Sequence, residues 1–402
     1  CLDRIILKLK KNQERLASLE MLETGKSFQQ SLTEIKNGIK YWISARNLCK
    51  KNLNKLIENN NKNDGSLIYS PVGTVGLIVP WNFPFIVISE RLPFILAAGC
   101  SVIIKPSEYA SASIFELVSL IDQTALPKGV INLLSGKGSR LGKMIVGHKN
   151  ISMISFTGSN TIGKLINTNC AKEFKKVSLE LGGKNPFIIF NDVDLDKVTD
   201  KLIDNFTFNA GQNCVGASKV YVQKKKFSLF LKVLLKKIHK IKPQSYGPLS
   251  NKKHYLKVSK IINILKNKKI NPINSIESSF SNSKSYYIYP HIYVDKKEKI
   301  TLLDEELFAP IIQIISFNDE NFLLEKINKS KYGLAAYIWT KNKDRILKFC
   351  RKLIIGRIWI NSEMINFPSL PIGGLKNSGL GKEVGEMGIM NYSNIKTVIK
   401  IK

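Results

Sequence analysis

The sequence predicts an α/β protein with two parallel sheets. From Pro71 onward, short β-branched runs alternate with helical segments, which is typical of parallel βαβ units. A second alternating block begins near Pro186. The chain has 402 residues. Because a single hydrophobic core stops growing at about 250–300 residues, at least two domains are expected.

Helices are predicted for residues 1 to about 58. Apolar residues recur there at mostly helical spacings, as between Ile5 and Leu9 and between Ile35 and Ile39. Gly25 marks a break between helices. We expect these helices to cover a sheet.

The first alternating block predicts the strands of one sheet. Its β-branched runs are 75–79, 101–104, 130–134 and 151–155. Helices are predicted at 112–124 and 161–166.

The second block predicts another sheet. Its apolar runs are 186–190, 220–222, 311–315 and 358–360. Residues 276–285 are rich in Ser and low in complexity, so they are predicted to form a surface loop.

The net charge of +31 by itself suggests a polyanionic partner. The lysines, however, are spread through the chain among many Ile and Asn residues, as in 261–270. No helix-turn-helix, RNP or OB-type signature accompanies them. We therefore interpret the charge as solvated surface lysine and expect no dedicated nucleic-acid partner.

Cysteine spacing and apolar runs indicate the compartment. The six cysteines are widely spread and form neither a CxxC pair nor a metal-ligand spacing, so no disulfide framework and no metal site are expected. No apolar run reaches the ~18 residues that span a bilayer. The sequence predicts a cytoplasmic protein with no membrane partner.

Gly158 and Ser159 lie between a predicted strand and a predicted helix. At such a junction unpaired backbone N–H groups and the helix dipole face the same point, which favours an anion. The spacing from Gly158 to Gly163 is not the usual GxGxxG, so by itself it fits either a dinucleotide site or an ordinary tight turn.

Cys214 is the candidate nucleophile. A lone free cysteine is more often a buried apolar residue. Here the chain also offers a carboxylate, Glu180, and an amide able to hydrogen-bond an oxyanion, Asn82. The runs that hold these residues are Gly211–Cys214, Leu179–Lys184 and Pro80–Pro84.

These motifs together resemble the NAD(P)-dependent aldehyde dehydrogenase superfamily. The resemblance extends from about Pro71 to the C-terminus, and further motifs follow in the family's order: Lys105–Glu108, Phe156–Ser159, Glu305–Pro310, Leu370–Gly379 and Tyr392–Val398. It implies a Rossmann-type NAD domain, an α/β catalytic domain and a small oligomerisation element.

The resemblance also implies where these units begin and end. The NAD domain would be formed by 1–50 and 72–182, the catalytic domain by 183–387, and the oligomerisation element by 51–71 and 388–402. A homodimer or homotetramer is expected. The chain starts at Cys1 rather than Met, so we expect an N-terminal segment of the family to precede it, which leaves any targeting signal out of view.

The implied activity is oxidation of an aldehyde to the carboxylic acid with NAD. Cys214 would attack the aldehyde carbon as a thiolate, while Asn82 and the Cys214 backbone N–H stabilise the oxyanion. After hydride transfer to NAD, Glu180 would deprotonate the water that hydrolyses the thioester. Lys184 and the two glycines before it would position this loop.

Two other functions remain open. A CoA-acylating aldehyde dehydrogenase uses the same cysteine but releases its thioester to a thiol, and members of that kind typically lack the glutamate that Glu180 matches. A non-catalytic NAD-binding or structural protein would tolerate loss of the motif residues, whereas Asn82, Glu180 and Cys214 all remain.

The cofactor contacts are likewise implied by the resemblance. They are Lys105 and Glu108 at the adenosine ribose, Gly158 and Ser159 at the pyrophosphate, Gly163 in close helix packing, Glu306 and Phe308 at the nicotinamide ribose and ring, and Trp81. A carboxylate at position 108 accepts a hydrogen bond from the ribose 2′-OH but repels a 2′-phosphate, so NAD is favoured over NADP. Ala309 stands where the family usually has glycine, and we expect it to stiffen or shift the nicotinamide end.

Phe83, Val87 and Glu90 share one face of a predicted helix. By resemblance this face lines the aldehyde tunnel, and Glu363 lies in a loop at the tunnel's outer wall. Two acids near a tunnel would attract a cationic aldehyde. Alternatively, Glu90 pairs with Arg91 or a lysine, and Glu363 is solvated.

Overall fold

The computed structural model describes residues 1–49, 51, 54–59, 63–242, 245–274, 285–296 and 298–402. The Ser-rich segment predicted as a surface loop lies outside the described residues except for Ser285. In the part of the chain that is described, no helix is both long and apolar enough to cross a membrane.

The helices alternate with the strands from residue 74 onward. They are α1 (Leu2–Lys11), α2 (Gln13–Thr24), α3 (Phe28–Cys49), α4 (Pro84–Ser89), α5 (Leu92–Ala97), α6 (Ala112–Asp122), α7 (Lys143–Gly147), α8 (Asn160–Ala171), α9 (Leu195–Thr207), α10 (Phe227–Ile238), α11 (Lys252–Asn267), α12 (Glu320–Lys329), α13 (Lys343–Lys352) and α14 (Gly385–Asn391).

The strands form two large sheets and two small ones. They are β1 (Lys55–Asn59), β2 (Asn63–Pro71), β3 (Thr74–Ile78), β4 (Ser101–Lys105), β5 (Ile131–Leu133), β6 (Met153–Thr157), β7 (Lys176–Glu180), β8 (Asn185–Ile189), β9 (Ala217–Gln223), β10 (His291–Val294), β11 (Ile311–Phe317), β12 (Tyr332–Gly333), β13 (Ala335–Trp339), β14 (Arg357–Ile360), β15 (Leu375–Lys376), β16 (Gly379–Leu380) and β17 (Ser393–Ile401).

The first sheet has six strands in the order β16-β7-β6-β3-β4-β5. All neighbours are parallel except β16, which pairs antiparallel with β7 by placing Gly379 opposite Glu180. Helices α1 to α3 share a hydrophobic core with this sheet, and Trp42 of α3 donates to Ser89 of α4 at 3.1 Å. The N-terminal helices therefore cover the sheet, as expected.

The prediction of helix as far as about residue 58 is wrong at its C-terminal end, because Lys55–Asn59 forms strand β1. This strand pairs antiparallel with β2, so its conformation depends on a partner strand and not on local periodicity. The break at Gly25 is confirmed, because this glycine ends α2 in the left-handed conformation at φ 77°.

The second sheet also has six strands, in the order β10-β11-β9-β8-β13-β14, and all of them are parallel. Every residue of β8 and of β13 is buried. Burial on both faces explains why these strands are continuous apolar runs. The predicted α/β class with parallel sheets is confirmed.

A three-stranded antiparallel sheet contains β1, β2 and β17. Strand β17 pairs with β2 from Ser393 opposite Pro71 to Ile401 opposite Asn63. The end of the described chain is thus joined to the segment that precedes the first large sheet.

Parallel pairing brings the ends of β3, β4, β6 and β7 to one edge of the first sheet. These strands end at Ile78, Lys105, Thr157 and Glu180. In open α/β sheets, ligands bind in the crevice outside this carboxyl edge. The loops at this edge are therefore the expected position of a ligand-binding site.

Candidate active site

Cys214 follows a tight left-handed turn after α9. Asn209, Ala210 and Gly211 have φ values of 52°, 53° and 71°. A Cβ at position 211 would collide with the backbone of Ala309, so this position requires glycine. The Ala309 backbone thereby fixes the turn that presents Cys214.

Gln212 and Asn82 join this turn to the first sheet. The Asn82 side-chain amide donates to the Gln212 carbonyl at 3.0 Å, and the Asn209 amide donates to the Asn82 carbonyl at 3.0 Å. Among the described residues, the second amide hydrogen of Asn82 has no acceptor, and neither has the Cys214 backbone N–H. Two donors in the described part of the chain are thus unpaired, one at Cys214 itself and one on the Asn82 amide that bonds Gln212, two residues before Cys214.

A cavity of about 350 Å³ opens at Cys214. Phe83, Val87 and Glu90 line it together with Arg357. Phe83 precedes α4, Val87 lies within it and Glu90 follows it, so the face predicted from their spacing is turned toward Cys214.

Helix α4 is supported by three buried charged residues. Glu20 accepts from the Phe85 backbone N–H at 3.3 Å, and Lys26 lies 3.0 Å from Glu20 and pairs with Glu34 as well. The Lys26 ammonium also lies 4.3 Å from the centre of the Phe83 ring. The group therefore fixes the helix that carries the cavity wall.

Glu180 ends β7 with its side chain buried, and it does not line the cavity at Cys214. Its Oε1 atom has no hydrogen-bond partner among the described residues. Burial raises the pKa of the Glu180 carboxyl to about 7, although Arg91 and Arg357 oppose that rise. A carboxyl with this pKa exchanges protons near neutral pH.

Burial also raises the pKa of the Cys214 thiol to about 12, and the Arg357 guanidinium offsets part of that rise. Cys214 is therefore a thiol at neutral pH in this arrangement. It needs a base to become a nucleophile.

Lys105, at the end of β4, and Glu108, in the loop that follows, lie where the cofactor is expected at the edge of the first large sheet. The Lys105 ammonium lies 3.0 Å from Glu108 Oε2, and the Gly138 backbone N–H donates to Glu108 Oε1 at 3.4 Å. Partial burial raises the pKa of Glu108, but hydrogen bonds from its own backbone N–H and from Lys105 outweigh it, so the pKa is lowered overall. Position 108 therefore holds a carboxylate.

The turn after β6 leads directly into α8. Ser159 caps this helix by accepting from the Ile162 backbone N–H at 3.5 Å. A Cβ at Gly163 would collide with the Leu181 side chain, and one at Gly158 would collide with the Phe156 ring. The glycines thus bring a helix N-terminus close to the sheet edge, where it suits a pyrophosphate.

Glu306 accepts from the Gly183 backbone N–H at 3.0 Å. Next to it, the rings of Trp81 and Phe308 meet edge to face at 5.7 Å, and His254 Nε2 lies 2.7 Å from the Phe308 carbonyl oxygen. A helix N-terminus suited to an anion, a carboxylate at each end and an aromatic group at one end fit a dinucleotide such as NAD.

The aldehyde dehydrogenase family model matches residues 1–398. The chain belongs to the aldehyde dehydrogenase family. It is 32% identical over 407 residues to peroxisomal aminoaldehyde dehydrogenase 1 of Pisum sativum, covering 98% of this chain and 81% of that protein.

Solved aldehyde dehydrogenase structures share the fold. An NAD-dependent aldehyde dehydrogenase from Sinorhizobium meliloti superposes with a TM-score of 0.95 at 31% identity, over 100% of this chain and 81% of that one. The NAD+ complex of an aldehyde dehydrogenase from Bacillus cereus gives a TM-score of 0.93 at 31% identity, over 100% of this chain and 84% of the other. The protein is an NAD-dependent aldehyde dehydrogenase that oxidises an aldehyde to the acid.

In this aldehyde dehydrogenase, Glu90 and Glu363, the two acids expected near the aldehyde tunnel, differ in position. Glu90 lines the cavity, but its Oε2 atom lies 3.1 Å from the Arg91 guanidinium. Glu363 is exposed and pairs with Lys201 at 2.6 Å, outside the cavity lining. The structure therefore favours paired or solvated acids over an acidic tunnel.

The sequence provided no indication of Arg357 or His254, nor of the three buried charges under α4, and Arg91 was expected only as a partner of Glu90. None of these residues lies in a motif with a recognisable spacing. Arg91 alone carried a signal, since it directly follows Glu90 in the sequence.

Proposed function

We propose that Cys214 is the nucleophile that forms a thiohemiacetal with the aldehyde. The observation that carries this proposal is the joint placement of a thiol, two available hydrogen-bond donors and a cavity of about 350 Å³. The new S–C bond turns the aldehyde oxygen into an oxyanion. Asn82 and the Cys214 backbone N–H stabilise it, and losing one such donor typically lowers kcat about 10²–10³-fold.

Glu180 is proposed as the general base. Its pKa of about 7 allows it to take a proton from the water that hydrolyses the thioester. One carboxylate oxygen has no hydrogen-bond partner among the described residues, so it is available to accept a proton. Hydrolysis breaks the thioester C–S bond, releases the carboxylic acid and returns the thiol.

The cofactor is held by groups at the same sheet edge. We assign Glu108 and Lys105 to the adenosine ribose, the N-terminus of α8 to the pyrophosphate, and Glu306 with Phe308 and Trp81 to the nicotinamide end. NAD held by these residues would supply the acceptor for the hydride that the thiohemiacetal carbon loses as the thioester forms. Because Glu306 is bonded to Gly183, this end of the site is joined to the loop that follows Glu180.

The domain boundaries inferred from the sequence remain a proposal. The two six-stranded sheets support one unit before residue 183 and another after it. Strand β16 departs from that division, because it belongs by sequence to the second unit and pairs with β7 in the first sheet. A cytoplasmic location is supported by the free state of the six cysteines, which form no disulfide.

NAD should be preferred to NADP in a panel of aldehydes assayed with both cofactors. The reason is the Glu108 carboxylate, which repels a 2′-phosphate. We expect kcat/KM to favour NAD by about tenfold or more, which one unfavourable charge contact can supply. The Glu108→Ser variant should reduce this ratio, whereas Glu173→Ser, at an exposed glutamate after α8, should leave it unchanged. A wild-type preference for NADP would show that position 108 does not control the choice.

Replacing Glu90 by glutamine should leave the ratio of activities on cationic and neutral aldehydes within about twofold. Arg91 already holds the carboxylate, and the guanidinium left behind is buried outside the cavity lining, where Glu383 and Glu180 act on it. The Glu363→Gln variant is the matched comparison, since that carboxylate pairs with Lys201 outside the cavity. Steady-state rates on one amino aldehyde and one neutral aldehyde of similar length measure the ratio. A selective loss on the cationic aldehyde in Glu90→Gln alone would revive the acidic tunnel.

A homodimer or homotetramer is proposed to form through the three-stranded sheet. Its strands expose apolar side chains, including Leu56 at 56%, Ile399 at 74% and Ile401 at 80%. The Ile399→Lys variant should therefore dissociate in analytical ultracentrifugation. The control Leu229→Lys changes an apolar residue that is 50% exposed on α10 and should stay assembled. An Ile399→Lys protein with the wild-type mass would place the interface elsewhere.

A further inference from the structure

A second cleft, of about 460 Å³, lies between the second large sheet and helix α12. Its charged lining consists of five lysines and three carboxylates: Lys184, Lys219, Lys326, Lys329, Lys331, Glu298, Asp304 and Glu305. Ile327, Leu334 and Ile355 add an apolar wall. This cleft is separate from the cavity at Cys214.

The three carboxylates of the cleft already have cationic partners. The ion pairs are Lys219 with Glu298 and Asp304, Lys326 with Glu298, and Lys331 with Glu305. In addition, the Tyr332 hydroxyl donates to Glu305 at 2.9 Å. The acids of the cleft are therefore neutralised from within it.

Lys184 differs from the lysines that form these ion pairs. Its residue is only 8% exposed, it lines the cleft, and it has no hydrogen-bond or ion-pair partner among the described residues. Burial lowers the pKa of its ammonium to about 8. A buried charge without a partner is costly, so an anion in the cleft would satisfy it.

We propose that this cleft binds a small organic phosphate, with Lys184 as the charged contact. The excess of lysines over carboxylates attracts an oxyanion, and charge-assisted hydrogen bonds to phosphate are among the stronger polar contacts. The apolar wall accommodates the organic part of the ligand.

The cleft and the nicotinamide end of the cofactor site share two short segments. Lys184 faces the cleft while its neighbour Gly183 bonds Glu306, and Glu305 faces the cleft while Glu306 faces the cofactor site. Burial raises the pKa of Glu306 to about 7, and the Gly183 N–H and the Lys184 ammonium limit that rise. An anion that neutralises Lys184 makes Glu306 a weaker acid, so occupancy of the cleft should weaken NAD binding by about fivefold, at the low end of typical couplings.

The test is a calorimetric titration with phenylphosphonate, which carries an oxyanion and an apolar ring. Saturating NAD fills the pyrophosphate site during the titration. We expect one saturable site in the wild-type protein. Phenylphosphonate should bind at least about tenfold more weakly to Lys184→Met, because this variant lacks one charge-assisted hydrogen bond. Lys149→Met, at an exposed lysine in the first half of the chain, should bind like the wild type. Inorganic phosphate should bind more weakly than phenylphosphonate, because it has nothing to place on the apolar wall.

A second experiment measures the reactivity of Lys184 in the wild-type protein, so its result does not depend on whether the Lys184→Met variant folds. Trace acetylation followed by mass spectrometry should show Lys184 protected by phenylphosphonate and Lys149 not protected. Four results would each overturn the proposal. In the titrations they are absence of saturable binding, unchanged affinity in a folded Lys184→Met protein, and equal affinity for inorganic phosphate. In the acetylation experiment it is labelling of Lys184 that does not change when phenylphosphonate is added. In the wild-type protein, phenylphosphonate affinity that keeps falling in proportion to the NAD concentration, beyond about fivefold, would show that phenylphosphonate competes at the cofactor site instead.

Discussion

Replacing Cys214 by alanine is expected to lower aldehyde oxidation by more than about 10³-fold, because the variant has no thiol to form the covalent intermediate. NAD affinity should stay near the wild-type value, since the proposed ribose and pyrophosphate contacts come from other strands and from α8. Steady-state formation of NADH measures the first effect, and quenching of tryptophan fluorescence by NAD measures the second.

The matched control is Cys350→Ala, at an exposed cysteine on α13 in the second half of the chain. This variant should keep full activity. Substantial turnover by a homogeneous Cys214→Ala preparation would remove Cys214 from the nucleophile role.

The Glu180→Gln variant should give one burst of NADH followed by a steady-state rate lowered about 10²–10⁴-fold, the usual contribution of a positioned base. Glutamine cannot accept a proton, so the thioester accumulates. In the wild-type protein the carboxyl has a pKa of about 7. Lowering the pH through 7 protonates it and should reduce the steady-state rate, whereas the variant should lack this pH step.

Rapid-mixing kinetics across pH 6–9 measure both effects, with Glu173→Gln as the control at an exposed glutamate. An unchanged steady-state rate in Glu180→Gln would exclude this residue as the base. Adding coenzyme A to the wild-type protein also tests the acylating alternative, because only a CoA-acylating enzyme would release its thioester faster in its presence.

The fold class was predictable because its signals are local, and the family and the NAD cofactor were predictable from several motifs that each lie within a short segment. The strand, turn and helix around Gly158 lie within one short segment, and the glycine at 163 is required by a contact with Leu181. In the same way, alternating apolar runs indicated the strands of both large sheets.

What was missed depends on contacts between distant segments. Glu20 lies in α2, Glu34 in α3 and Lys26 between these helices. All three act on α4, so no spacing within any one segment reveals their joint role. Glu90 shows the same limit, because its place in the cavity was predictable from helical spacing but the geometry of its ion pair with Arg91 was not. Strand β1 was taken for helix because its pairing with β2 is not a local property.

The antiparallel pairing of β16 with β7 has a consequence for synthesis on the ribosome. Strand β7 carries Glu180 and is the edge of the first sheet until residues 379–380 arrive. The N-terminal part of a chain generally folds first as it is made. The first sheet is therefore complete except for its last strand through most of translation, with an unpaired edge that invites wrong partners. A ribosome stalled before β16 should therefore hold a nascent chain that is prone to aggregation through the edge at β7.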